Sequence, residues 1–101
     1  MIIVKGEVRF AAGRIAGLRG ALRKNVEATR AEQGCLGYAY AVDVLDPDLL
    51  HVAEQWESEA AIDAHMGAPH MAELMEALGD AVAAISVKAY EARYARTLLG
   101  E

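Results

Sequence analysis

Apolar residues recur at every second position at the start of this chain and at every third or fourth soon after, and that change of period decides what it can build. Ile2, Val4, Val8 and Phe10 fall on one side of an alternating stretch, with Ile3, Lys5, Glu7 and Arg9 on the other, which predicts a strand over 2–10. From Arg14 onward Ile15, Leu18, Leu22, Val26 and Thr29 take helical spacing, while Arg14, Arg19, Arg23, Lys24 and Arg30 occupy mostly other positions. An amphipathic helix is expected over 14–33, closed by Gly34. Gly17 and Gly20 inside it cost about 1 kcal/mol each against Ala, so a frayed first turn or a close backbone contact is expected there.

Alternation then resumes. Leu36, Tyr38, Tyr40, Val42 and Val44 alternate with small residues, Asp46-Pro47-Asp48 signals a turn, and Leu50, Val52, Glu54 and Trp56 alternate with His51, Ala53, Gln55 and Glu57. These read as a hairpin. Ser58 is a natural N-cap for a short helix over 59–66. Gly67-Ala68-Pro69 breaks that helix, and Pro69 opens a second piece carrying Met71, Leu74, Met75 and Leu78, ending at Gly79-Asp80. Ala81 to about Tyr94 reads as a last strand in which neither parity is hydrophilic. The order β-α-β-β-α-β specifies an α+β ferredoxin-like sandwich, a four-stranded antiparallel sheet with its helices on one face. The bare apolar surface on such a sheet calls for a second copy of the chain, burying on the order of 1,500 Å² or more.

With 101 residues there is room for one domain, taken as 1–95 with a tail at 96–101. Charge is segregated: residues 1–30 are basic, and 31–86 carry acids but no Lys or Arg. The basic stretch is short and lacks interleaved aromatics, which excludes a nucleic-acid surface. No stretch suits a membrane span, no leader opens the chain, and the one cysteine, Cys35, forms no internal disulfide, so a reduced cytoplasmic protein is expected.

Hydrolytic and phosphate-binding motifs are missing. His65 and His70 are five residues apart across a proline, not the spacing that sets two ligands on one helical face, so no metal site is expected. His51 reads as a surface strand residue and His70 as part of a helix start. The informative run is Glu54-Gln55-Trp56-Glu57-Ser58-Glu59-Ala60-Ala61-Ile62-Asp63-Ala64-His65, followed by Pro69-His70 and preceded by Gly34-Cys35-Leu36-Gly37-Tyr38. In order and spacing these resemble the antibiotic biosynthesis monooxygenase superfamily, quinol monooxygenases in particular, with Gln33 where a proline is usual.

The resemblance implies a dimeric α/β barrel type of assembly. It also implies oxygenation of a hydroquinone- or anthrone-like aromatic by O2, with no flavin, haem or metal. A deprotonated hydroquinone can itself reduce O2, so the protein supplies a dry pocket, a base and orientation. His65 is the candidate base, because imidazole titrates near neutrality. Trp56, Tyr38 and Tyr40 are candidate pocket walls, with Met66, Met71 and Met75 as adaptable ones. Haem-degrading relatives use an Asn on the first strand and a His late in the second helix; Glu7 and Met75 stand near those places, which argues against haem. The competing expectation is a non-catalytic dimeric module that binds a small hydrophobic ligand or a partner chain.

Overall fold

The computed structural model describes residues 1–101. The opening alternation forms β1 (Ile2–Phe10), followed by α1 (Ile15–Arg30), β2 (Cys35–Val42), β3 (Leu49–Trp56), α2 (Glu59–Met66), α3 (Pro69–Leu78) and β4 (Val82–Glu91). The strands lie in the order β2-β3-β1-β4, every neighbouring pair antiparallel. This is the ferredoxin-like order, with all helices on one face. Ser58 caps α2 as its sequence suggests, its Oγ accepting from the Ala61 N–H at 3.2 Å.

Alternation puts Ile2, Val4, Val8, Phe10, Leu50, Val52, Glu54 and Trp56 on the helix side, and all are buried. Beneath the helices the core has two ends of different character. At one end Val8, Phe10, Ile15, Leu22, Leu50, Val52, Leu74 and Leu78 make an apolar cluster. At the other, Ile2, Val4, Tyr38 and Trp56 pack together, with Val26, Cys35, Tyr40, Ala61 and Ile62 around them. Every buried polar side chain of the domain (Asn25, Thr29, Glu54 and His65) belongs to residues near this second end.

Several expectations are corrected. α1 stops at Arg30 rather than near 33, and residues 31–34 form a turn in which Glu32 N–H donates to the Thr29 carbonyl at 3.0 Å. Gly34 serves this turn, not the helix end. Its φ of +86° favours glycine, and a Cβ there would stand 2.7 Å from the Ala61 Cβ, so glycine lets α2 close onto the turn. A register shift between Cys35 and Gly37 turns Leu36 out to solvent, off the face it shares by simple alternation with Tyr38. Gly17 and Gly20 have open space beside them rather than a close contact. The last strand ends at Glu91 instead of Tyr94 because its partner β1 runs out, Ile2 pairing with Glu91 and Ala92 N–H donating to the Met1 carbonyl.

The segregated charges do meet, in Arg9–Asp46 at 2.9 Å, Arg14–Asp80 at 3.3 Å and Lys24–Glu73 at 3.5 Å. All three pairs lie at the solvated surface, so each adds only about 0–1 kcal/mol. The helices do not cover β4. Ile85 and Val87 lie opposite Val8 and Gly6 on the helix side, yet Ile85 is 59% exposed. Tyr90 on the open face, and Tyr94, Leu98 and Leu99 beyond the strand, are exposed as well. By contrast the open face of β1 presents Lys5, Glu7 and Arg9, with Lys88 opposite Lys5 on β4.

Candidate functional site

The polar end of the core is assembled from five helices and strands and one turn. α1 supplies Asn25 and Thr29, which sit on its buried stripe; the turn after α1 supplies Glu32. β2 contributes Tyr38 and Tyr40, and β3 contributes Glu54 and Trp56 at adjacent inward positions. His65 comes from the last turn of α2 and His70 from the first turn of α3.

His65 is 2% exposed. Its ring lies 4.8 Å from the Trp56 ring and 5.4 Å from that of Tyr38, and its Nδ1 is 2.7 Å from Glu32 Oε2. The same carboxylate oxygen is 2.9 Å from His70 Nε2. An ionised carboxylate only accepts, so each ring nitrogen facing it donates. A neutral His65 therefore carries its proton on Nδ1, leaving Nε2 as a lone pair.

Beside this pair, the Asn25 Nδ2 donates to the Tyr40 hydroxyl at 2.8 Å and the Tyr38 hydroxyl at 3.2 Å, and the two hydroxyls are 2.7 Å apart. Burial pushes the pKa of the Tyr38 hydroxyl far above the ordinary phenol value, reinforced by Tyr40, and burial raises that of Tyr40 too. Both phenols stay protonated and are not bases. Cys35 is likewise disfavoured as a thiolate, its thiol raised by burial. Asn25 Oδ1 and Thr29 Oγ1 are buried without a partner, a state that costs about 1–3 kcal/mol per group.

The Trp56 indole donates to Glu54 Oε1 at 2.8 Å. Burial raises the Glu54 carboxyl above the usual carboxylate range, opposed by that indole hydrogen bond and by His65. Because the folded chain holds this proton more tightly than the unfolded chain, stability falls as pH rises from the ordinary carboxylate value to the raised one. Gln at this position accepts the same bond without ionising. Glu54→Gln is thus expected to be more stable than the parent at about pH 8, with the gap closing near pH 4 where both forms are neutral. A denaturant titration at the two pH values checks this; an equal gap at both contradicts it.

Of the residues singled out in the sequence, Tyr38, Tyr40, Trp56 and His65 are brought together. Met71 packs instead against the apolar cluster, Met66 is 63% exposed, and Met75 is 51% exposed. His70 is more than a helix-start residue, and His51 sits on the open sheet face with its Nε2 2.7 Å from Asp43 Oδ1. Sequence reasoning passed over Glu32, Glu54 and Asn25. A groove of about 540 Å³ opens between α1 and α3 on the outer side of the cluster, lined by Lys24, Asn25, His70, Glu73 and Leu74 among others. That size lies within the range of small-molecule sites.

The family model for antibiotic biosynthesis monooxygenases matches residues 1–77, a span that contains every member of the polar cluster. The chain belongs to the antibiotic biosynthesis monooxygenase family. An Escherichia coli K12 protein, "Probable quinol monooxygenase YgiN", is 36% identical over 73 residues, covering 64% of this chain and 70% of that one. The crystal structure of a Deinococcus radiodurans protein carrying the family's name matches with a TM-score of 0.90 at 32% identity, over 99% of this chain and 100% of the other. PA3566 from Pseudomonas aeruginosa matches with a TM-score of 0.84 at 25% identity, over 92% and 94% of the two chains. No helix of this antibiotic biosynthesis monooxygenase family member is long and apolar enough to cross a membrane.

Proposed function

We propose that the chain is a cofactor-independent monooxygenase that oxidises a hydroquinone- or anthrone-like aromatic with O2, with His65 as the base. The observation that carries this reading is a buried imidazole held at 2.7 Å by a carboxylate inside an aromatic cluster. His65 Nε2 takes the proton of a substrate hydroxyl, and Glu32 stabilises the imidazolium that forms. The resulting anion is electron-rich enough to reduce O2. The reaction balances without an outside reductant: a hydroquinone and O2 give a hydroxyquinone and water, the substrate supplying four electrons. One oxygen atom enters the product and the other leaves as water.

Further support comes from the groove of about 540 Å³ between α1 and α3, which runs past His70 and Asn25 at the edge of the cluster and has the size of a small-molecule site. Tyr38 and Trp56 surround the His65 ring with aromatic faces, at 5.4 and 4.8 Å, and keep water from the base. Similarity to a protein named as a quinol monooxygenase points the same way. The test is oxygen uptake with chelator-treated protein on a panel of benzo- and naphthohydroquinones and anthrones. Consumption well above spontaneous autoxidation with at least one compound supports the reading; rates equal to the protein-free control throughout reject it.

The working form is a homodimer in which a second copy covers the apolar side chains that β4 and the residues after it leave exposed. Light scattering at micromolar concentration is expected to give twice the chain mass of 10.8 kDa, and a monomer mass overturns this. Ile85→Glu/Val87→Lys is expected to shift the equilibrium toward monomer.

A further inference from the structure

We infer that Glu32, His65 and His70 form a binding site for a divalent transition-metal ion. Sequence spacing argues against it, since five residues on a continuous helix would separate the two imidazoles. The break at 67–68 changes the geometry: α2 ends, α3 restarts at Pro69, and the two rings stand side by side with centroids 6.0 Å apart. Glu32, brought in by the turn after α1, completes the set. One ring nitrogen from each histidine and a carboxylate oxygen of Glu32 all lie within 4.8 Å of one another, with His65 Nδ1 and His70 Nε2 the nitrogens that face the carboxylate.

Two imidazole nitrogens and one carboxylate oxygen suit zinc, cobalt, nickel, copper or ferrous iron, whereas magnesium and calcium take oxygen ligands. Bonds of about 2.0–2.2 Å in a tetrahedral site set donors roughly 3.3–3.5 Å apart. The two hydrogen-bonded separations, 2.7 and 2.9 Å, open by about 0.4–0.8 Å to admit an ion, within reach of side-chain rotation. Nothing is lost in protonation, because each neutral ring moves its proton to the nitrogen facing away. Three protein donors leave the remaining coordination position for water or a ligand. The donors are well shielded, at 2% exposure for His65 and 17% for each of the others, and the groove that His70 lines gives a way in. Glu73 and Glu76 on its wall favour a cation, partly offset by Lys24.

An ion at Nδ1 of His65 puts the ring proton on Nε2, so the loaded chain has no free base there. This inhibitory consequence rests on the oxygenase reading; the site itself does not, and its test uses no quinol. Chelator-stripped protein is titrated with Zn2+ by calorimetry and with Co2+ by visible absorption. One ion per chain is expected, with affinity falling about 100-fold or more in Glu32→Gln and in His70→Gln, each shown folded by circular dichroism. His51→Ala, which removes the histidine of the open face, is expected to bind as the parent does. Parent affinity no tighter than that of Glu32→Gln and His70→Gln, or a site lost with His51, overturns the inference.

Discussion

Replacing His65 with Gln is expected to lower turnover of an accepted hydroquinone by roughly 10²–10⁴-fold, the usual contribution of a positioned acid–base group. The amide is close in size to imidazole and can still donate to Glu32, so the fold is retained. What it lacks is a nitrogen that accepts a proton near neutrality. If His65 only packs against Trp56 and Tyr38, the same change costs about 1–2 kcal/mol of stability and leaves turnover intact. Initial oxygen-uptake rates and the thermal midpoint, measured on one preparation, separate the outcomes. Full activity in a folded variant removes His65 from the mechanism.

The largest stability effect is expected at Trp56. Its side chain is 0% exposed, it joins the small cluster of Ile2, Val4 and Tyr38, and its indole N–H is the donor to Glu54. Trp56→Ala opens a cavity and strands a buried carboxyl, a loss of about 3–5 kcal/mol. For a domain of this size that corresponds to a midpoint lowered by roughly 15–30 °C. Trp56→Phe fills most of the space and loses mainly the hydrogen bond, about 1–3 kcal/mol. Scanning calorimetry of the two variants checks the ordering; an Ala variant as stable as the Phe variant contradicts it.

The difference between what could be read from the chain and what could not follows from how local each signal is. Alternation around Val4 and Val52, helical spacing from Ile15 to Thr29, Ser58 as a cap and Pro69 as a restart are short-range features, and the elements they predict formed. Two site residues were within reach of the same logic. Glu54 occupies an inward parity position between Val52 and Trp56, and Asn25 lies on the stripe three residues after Leu22; a polar group in an apolar register is the signal. Glu32 was out of reach, because it enters the site only when α1 stops at Arg30 and the turn through Gly34 folds back toward α2. His70 was hidden by a one-dimensional spacing rule that fails where a helix is broken. The exposure of β4 was equally non-local: both parities of Val82–Glu91 are partly apolar, and only sheet order shows that no helix reaches this edge.

The claim at the centre of this account is that the chain transfers oxygen from O2 to an aromatic, and isotope labelling addresses it without intermediaries. A hydroquinone or anthrone that supports oxygen uptake is turned over under 18O2 by chelator-treated protein, and the product is analysed by mass spectrometry. One labelled oxygen atom per product molecule, with the other in water, is the expected result. Product that forms without label, or at the same rate when the protein is left out, contradicts it.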